Sequence, residues 1–134
     1  MFTIYIKQSN FERVIRFFSR WERIFLILVL SGISAYYFWY YLQNGLGLSY
    51  NDARSHLDIG RRVVEGLKPG AAQLGSVWLP LNHVLMVPLI WNDWMWHSGF
   101  AGAVWNMLSF VGTGLIIHKY LERLKVGVIG RLSG

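Results

Sequence analysis

The sequence predicts an all-α membrane protein with two transmembrane helices joined by an outer loop. Of its 134 residues, 54% are hydrophobic, 16% are aromatic and only 15% are charged, whereas about 25% of the residues in soluble domains are charged. Two uncharged runs are long enough to cross a bilayer. Basic residues precede the first run and follow the second. The chain has no cysteine, which excludes disulfides, thiol nucleophiles and thiolate metal sites.

Residues 1–23 predict a basic amphipathic helix on the cytoplasmic side. Ser9-Asn10-Phe11-Glu12 has the S-x-x-E spacing of a capping box, and arginines then recur at helical spacing opposite apolar side chains. These are Arg13, Arg16, Arg20 and Arg23. The helix either lies on the anionic inner leaflet or serves only as the positive flank that orients the next span.

Residues 24–43 predict the first transmembrane helix. The 19 residues from Ile24 to Leu42 carry no charge, and as a helix they would extend about 28 Å, close to the thickness of a hydrocarbon core. Aromatic residues crowd the far end, as in an interfacial belt or a groove for a lipid chain. The long charged lead and the poor cleavage sites near Ser34 favour an uncleaved anchor over a signal peptide.

Residues 44–97 predict an outer loop with two helices that lie parallel to the membrane. The first, 51–65, begins with a Ser49–Asp52 cap pair and ends at Gly66. Its apolar face comprises Ala53, Leu57, Gly60, Val64 and Leu67, and its polar face comprises Asp52, Arg54, Asp58, Arg61 and Arg62. Such a helix cannot span a bilayer but can lie along one.

The second membrane-parallel helix is predicted at 76–92, where prolines and the pair Asn82-His83 interrupt an apolar run. If this run were a span, the C-terminal basic residues would lie outside the cell. Two spans, with the second at 98–118, keep both the N-terminal helix and the basic tail 119–134 in the cytoplasm, as the positive-inside rule requires.

This arrangement resembles the N-terminal module of the GT-C glycosyltransferases, in particular members similar to protein O-mannosyltransferases and to the aminoarabinose transferase of lipid A. The resemblance rests on the acid after the first span, the helix Asp-Ala-Arg-Ser-His-Leu-Asp-Ile-Gly-Arg-Arg-Val-Val, the segment Val77-Trp78-Leu79-Pro80-Leu81-Asn82-His83 and the basic end of the return span. It covers roughly Ile24 to Lys125, the first module of a fold that usually has many more spans. It implies a prokaryotic cell-membrane protein that transfers a sugar from a polyprenyl-phosphate donor to an acceptor at the outer face.

The resemblance implies that Asp52 is the catalytic residue. A carboxylate at the membrane surface can deprotonate an acceptor hydroxyl while the sugar inverts. Alternatively, Asp52 only interacts favourably with the helix dipole. Many relatives carry a second acid beside the first, but this chain has Ala53 there, so a two-acid metal site is not predicted. No cofactor is expected, and a requirement for a divalent metal stays open.

His56 and His83 are candidate substrate-binding residues. His56 lies one helical turn after Asp52, so it orients that carboxylate, contacts phosphate or is an interfacial polar residue. His83, with Asn82, either faces a polar cavity or bonds a carbonyl freed by Pro80.

Arg54 and Arg61 are the other candidate substrate-binding residues. Together with Arg62, they bind either the donor phosphate or lipid headgroups. Asp93, which lies among tryptophans, predicts an interfacial turn rather than a second catalytic acid.

Two functions follow from these features. The first is a glycosyltransferase module that further transmembrane segments complete. The second is a small non-catalytic protein that binds or scaffolds a partner membrane protein through its small-residue span and its tryptophan-rich segment. The expected partners are membrane lipid and a polyprenyl-phosphate-linked sugar. Nucleic acid is not expected, because the net charge of +6 is concentrated at the ends of the apolar segments.

Overall fold

The computed structural model describes the backbone of residues 2–74, 78 and 80–133, and their side chains except at 2–16 and 18–20. In this part of the chain every regular element is helical: α1 (Phe2–Gln43), α2 (Asn51–Glu65), a 3₁₀ turn (Ala71–Leu74), α3 (Leu81–Ile90), α4 (Asp93–His97), α5 (Phe100–Arg123) and α6 (Val128–Ser133). The chain forms two compact units. We call Ser34–Ser109 the central unit, and the residues up to Ile33 with those from Phe110 onward the terminal unit.

Two helical segments are long and apolar enough to cross a membrane, Trp21–Gln43 within α1 and Phe100–Arg123, which is α5. The two predicted spans are therefore confirmed as apolar helices of spanning length. The second begins at Phe100 rather than at residue 98, because Gly99 has a φ of +78°, which lies outside the helical region and is accessible mainly to glycine.

α1 continues without a break through residue 23, so the predicted N-terminal helix and the first span are one helix of 42 residues. At 1.5 Å per residue such a helix extends about 63 Å. It begins at Phe2, so the capping box predicted at Ser9–Glu12 is wrong and those residues lie inside the helix. The segment before Ser9 contains no glycine or proline, the residues that most strongly oppose helix, which explains why the helix extends through it.

α2 has the predicted bounds of 51–65, but it begins differently. Its N-cap residue is Tyr50, which is extended and makes no side-chain capping hydrogen bond, so the predicted Ser49–Asp52 cap pair is wrong. The Ser49 hydroxyl instead donates to a carbonyl three residues earlier, at 2.9 Å. The helix ends as predicted at Gly66, where the backbone becomes extended. A Cβ at this position would lie 2.6 Å from the carbonyl oxygen of Arg62, so glycine suits this helix end.

The core of the central unit lies between α2, α3 and the start of α5. Its fully buried members are Leu57, Met86, Ile90 and Ala101, and the side chains packed around them include Leu48, Val64, Met95, Trp96 and Trp105. The predicted apolar face of α2 is confirmed at Leu57 and Gly60, which are buried. It is wrong at Leu67, which lies beyond the helix end and is fully exposed.

Arg61 also departs from the predicted arrangement of α2. We expected it on the solvated face, but only 8% of its surface is exposed, and Ile59 is buried as well. The buried strip of α2 is thus wider than an apolar i, i+3, i+4 pattern predicts, because the long arginine side chain reaches the end of α3.

α3 covers only ten residues, Leu81–Ile90, whereas a helix was predicted over 76–92. Residues 76, 77 and 79 of that range lie outside the described part of the chain. Pro80 occupies the N-cap and Pro88 lies inside the helix, and neither can donate a backbone hydrogen bond. Ten helical residues extend about 15 Å, half of a hydrocarbon core, so α3 is too short to be a third span. The tryptophan-rich segment forms α4, capped by the Asn92 side chain, which accepts from the Met95 N–H at 3.1 Å.

In the terminal unit, the buried carboxylate of Glu22 joins three helices. It accepts hydrogen bonds from Arg131 of α6 at 2.8 Å and lies 3.2 Å from Nε2 of His118 in α5. Glu22 is 8% exposed and His118 is 1% exposed. A Cβ at Gly114 would collide with Leu30, so glycine allows α1 and α5 to pack closely there. The predicted basic tail 119–134 therefore contains a short helix, α6, that is held by an ion pair.

Candidate functional site

Asp52 is the second residue of α2 and is half-buried. The hydroxyl of Tyr50 donates a hydrogen bond to Oδ2 of Asp52 at 2.7 Å. This hydrogen bond and the negative charge of Asp52 raise the pKa of Tyr50 above its usual value of 10.0. The phenol therefore keeps its proton at neutral pH and orients the carboxylate, while Oδ1 is not used by this bond.

His56 of α2 contacts His83 of α3 directly. Nδ1 of His56 lies 2.7 Å from Nε2 of His83, and the two rings are 4.9 Å apart, as are those of His56 and Trp78. Burial lowers the pKa of His83, and the neighbouring His56 lowers it further. At neutral pH His83 is therefore uncharged, and a neutral imidazole has one nitrogen that donates and one that accepts. We call these two residues the histidine pair.

His56 also lines a cavity of about 200 Å³ in the central unit. Its apolar wall includes Leu48, Leu57 and Met86, and its polar groups come from His56, Asn82, Trp105 and Asn106. Among the described residues, no Asp, Glu, Lys or Arg lines it. We call it the uncharged cavity. Gly102 lets α5 approach α3 closely beside the cavity, because a Cβ there would lie 3.2 Å from Sδ of Met86.

Several polar groups around the uncharged cavity are not satisfied by the protein. Nε1 of Trp105 and Nδ1 of His83 are buried and have no hydrogen-bond partner among the described residues. The side chains of Asn82 and Asn106 also line the cavity and make no hydrogen bond within the described part of the chain, and both residues are exposed. Because buried polar groups are nearly always hydrogen-bonded, the free indole N–H of Trp105, together with these two accessible amides, suits the cavity to a polar ligand.

A second, separate cluster surrounds Trp96 on another side of α2. The guanidinium carbons of Arg54 and Arg61 lie 4.6 and 4.7 Å from the centre of the Trp96 ring, close enough for cation–π attraction. The Trp96 N–H donates to Asp58 at 3.2 Å, and Asp58 pairs with Arg54 at 3.1 Å. With Arg62 and Glu65, these residues line an open depression, which we call the arginine groove.

Arg61 bonds to the protein through most of its donors. One nitrogen donates to the carbonyls of Ile90 and Trp91 at 2.6 and 3.3 Å, which are unsatisfied acceptors at the end of α3. Another pairs with Asp93 at 2.6 Å and with Glu65. Burial alone would lower the pKa of Arg61, but the two carboxylates outweigh it and raise the pKa. Asp93 is thus the partner of a buried arginine.

The structure therefore separates the predicted site residues into two groups. His56 and His83 meet beside the uncharged cavity, and Asp52 lies one turn before His56. Arg54 and Arg61 meet instead at the arginine groove.

Sequence reasoning did not identify Asn106, Trp105 or Trp96 as parts of these surfaces. Asn106 offered a signal, because it is a polar amide inside an apolar run and such residues are costly in a membrane. Within the described residues, no three His, Asp or Glu side chains are grouped to hold a metal ion.

Comparisons with known proteins found no family model, no curated protein and no solved structure that matches this chain.

Proposed function

We propose that this chain is the first module of a membrane glycosyltransferase that transfers a sugar from a polyprenyl-phosphate donor to an acceptor at the outer membrane face. The observation that carries the proposal is the placement of Asp52. It is a half-buried carboxylate, oriented by a phenol, that immediately precedes cavity-lining Ala53 and lies one turn before His56. The residues that carry the resemblance to the GT-C glycosyltransferases support the same reaction.

In this reaction Asp52 is the general base. Its free Oδ1 accepts the proton of the acceptor hydroxyl, the acceptor oxygen bonds to the anomeric carbon of the sugar, and the bond from that carbon to the phosphate oxygen breaks. The polyprenyl phosphate leaves with the electron pair. General base catalysis by a positioned carboxylate typically contributes about 10²- to 10⁴-fold in rate.

The arginine groove is suited to the phosphate of the donor. Arg54 is 38% exposed at its side chain and Arg62 is exposed, so both have donors that a phosphate can reach. Arg61, also a predicted substrate-binding residue, contacts Trp96, the end of α3 and Asp93 around the groove. Its contribution to phosphate binding is then mainly through positioning and charge.

The proposed topology has both termini in the cytoplasm and the central unit at the outer face. Arg23 lies in the first turn of the first span, Lys119 and Arg123 lie in the last turns of the second, and Lys125 and Arg131 follow it. The contacts of Glu22 with His118 and Arg131 support this topology, because they hold these basic ends of the two spans together. The positive-inside rule then assigns those ends to the cytoplasm.

Substitution of three residues of α2 tests the proposed base. The full-length native assembly is reconstituted in liposomes with polyprenyl-phosphate sugars, and transfer is measured. Asp52→Asn should reduce transfer by about 10²- to 10⁴-fold with little effect on stability, because Asn is as favourable as Asp near a helix start. His56→Ala should cost less, and Asp58→Asn least. Full activity in Asp52→Asn would remove Asp52 as the base, and equal losses in all three would indicate general damage to α2.

The alternative function, a non-catalytic module that binds a partner membrane protein, is favoured by the open faces of the spans. Gly32 and Gly112 have no atom within 4 Å of where a Cβ would be, so both present small surfaces on which another helix can pack. Under this alternative, Gly112→Leu should disrupt assembly with the partner span, whereas Asp52→Asn should have no effect.

A further inference from the structure

The lining of the uncharged cavity identifies the kind of ligand group that fits it. Two free amides, an indole N–H and an imidazole edge provide donors and acceptors, and these are the groups that pair with hydroxyls. The apolar wall of Leu48, Leu57 and Met86 fits carbon–hydrogen surface. A ligand group that combines hydroxyls with carbon–hydrogen faces is a sugar ring.

The size of the cavity restricts the ligand to one ring. Its volume is about 200 Å³, below the roughly 300–1,000 Å³ of pockets for drug-sized ligands. An oligosaccharide is too large for it, and a polyprenyl chain would leave the polar groups unpaired.

The charge of the lining restricts the ligand further. No described lining residue is acidic or basic, apart from the imidazole of His56, whose neighbour His83 is neutral. The lining, of which Asp52 is not a part, offers no counter-charge to an ammonium or carboxylate buried in the cavity, and an unpaired buried charge is strongly unfavourable. A phosphate is excluded for the same reason. The cavity therefore selects an uncharged ring over an amino sugar or a uronic acid.

The connectivity of a lipid-linked sugar matches the two surfaces of α2. Ala53 and Leu57 line the uncharged cavity, and the residues that follow each of them, Arg54 and Asp58, line the arginine groove. Consecutive residues of a helix point about 100° apart. A sugar in the cavity and its phosphate at the groove thus occupy neighbouring sides of one helix.

The histidine pair defines how the ring is held. Because Nδ1 of His56 is used in the contact with His83, Nε2 is the nitrogen that remains for a ligand. Whether Nε2 of His56 donates or accepts depends on which of the two rings carries the proton between them. His83 is therefore a positioning residue for His56.

We propose, resting on the proposed function, that the uncharged cavity binds the single uncharged sugar ring of the lipid-linked donor, and that Asn82, Asn106 and His56 are its hydrogen-bonding residues. The donor sugar is then a neutral hexose or pentose rather than an aminopentose.

Binding to the intact chain in lipid nanodiscs tests this without requiring transfer. Three short-chain lipids are compared by quenching of tryptophan fluorescence: polyprenyl phosphate, the same lipid carrying glucose, and the same lipid carrying an aminopentose. The glucose lipid should bind at least tenfold more tightly than the other two. Asn106→Leu should abolish this preference and leave binding of the sugar-free lipid unchanged. Thr113→Leu, an exposed position on the same helix outside the cavity, is the matched control and should keep the preference.

The outcomes separate this proposal from the proposed function. Equal binding of the three lipids, tighter binding of the aminopentose lipid, or a preference that persists in Asn106→Leu would each overturn the assignment of the cavity while leaving a phosphate-lipid site intact. No measurable binding of any lipid would overturn the proposed function as well. Loss of the preference in both Asn106→Leu and Thr113→Leu would indicate a general effect on α5 and would also count against the cavity.

Discussion

Replacement of Arg61 by methionine should destabilise the central unit more than any other single arginine substitution on α2. Methionine keeps much of the apolar side chain and removes the guanidinium. The carbonyls of Ile90 and Trp91 then lose their donor, and the buried Ile90 carbonyl matters most, since a hydrogen bond from a charged group contributes roughly 1.5–3 kcal/mol. Methionine offers no hydrogen-bond donor in place of the guanidinium at the end of α3.

The remaining contacts of Arg61 contribute less. Glu65 and Asp93 are 52% and 73% exposed at their side chains, so each ion pair is worth about 0–1 kcal/mol, and the contact with Trp96 about 0.5–1 kcal/mol. Removing a buried charge returns part of this loss, because the charge no longer has to be desolvated. The net cost is about 2–3 kcal/mol, or roughly a 30- to 150-fold rise in the ratio of unfolded to folded protein.

Equilibrium unfolding in a mild detergent, followed by tryptophan fluorescence, measures this cost. Arg54→Met is the matched control: its partner Asp58 is 44% exposed, so it should cost no more than about 1 kcal/mol. If Arg61→Met were as stable as the native protein, or if the two variants lost the same amount, Arg61 would not be the residue that holds α3 and α4 against α2.

Three further predictions follow from the structure. A cysteine introduced at Ser133 should be labelled by an impermeant reagent only after the cytoplasmic side is opened; labelling from outside would contradict the two-span topology. Glu22→Ala should destabilise the terminal unit by about 3 kcal/mol in the same unfolding assay, because it leaves the partly buried Arg131 without its carboxylate, whereas Lys119→Ala, at an exposed position, should have little effect. Since the pKa of His83 is lowered in the folded state, the contribution of His83 to stability should be complete above pH about 6.5 and should decrease as the pH falls toward the folded pKa. In His83→Gln this decrease should disappear. An unchanged pH dependence of unfolding in that variant would mean that another group causes it.

Features encoded by neighbouring residues were predicted well. The end of α2 follows from the local signal at Gly66, and the spans follow from long runs without charge. The start of α2 was placed correctly, although the Ser49–Asp52 cap pair that predicted it does not form. The start of α1 was not predicted, because the S-x-x-E spacing at Ser9 occurs inside helices as well as at their ends. The short α3 reflects Pro80 and Pro88, whose effect on an apolar run depends on what can satisfy the freed carbonyls.

Features that depend on distant residues were not predicted. Arg61 finds its acceptors 29 and 30 residues later in the chain, and His56 meets His83 across 27 residues. The spacing of residues within α2 encodes neither contact, because both depend on how closely α3 packs against α2. By composition Arg61 belongs to a solvated face, and only the tertiary contact with the end of α3 makes its burial favourable.

The arrangement of residues around α2 has a consequence for stereochemistry. At about 100° per residue, Asp52 and Arg54 are separated by an arc of about 160° on one side of α2 and about 200° on the other, and the cavity-lining residues His56, Ala53 and Leu57 lie within the wider arc. A sugar ring in the uncharged cavity would therefore have the proposed base on one side and the arginine proposed to bind phosphate on the other. Displacement with inversion requires this geometry, because the acceptor must approach the anomeric carbon from the side opposite the departing phosphate. A retaining double displacement would need a carboxylate that attacks that carbon directly, on the face away from the phosphate, and the described lining contains none. The proposed neutral ring and a single, inverting displacement therefore fit the same uncharged lining.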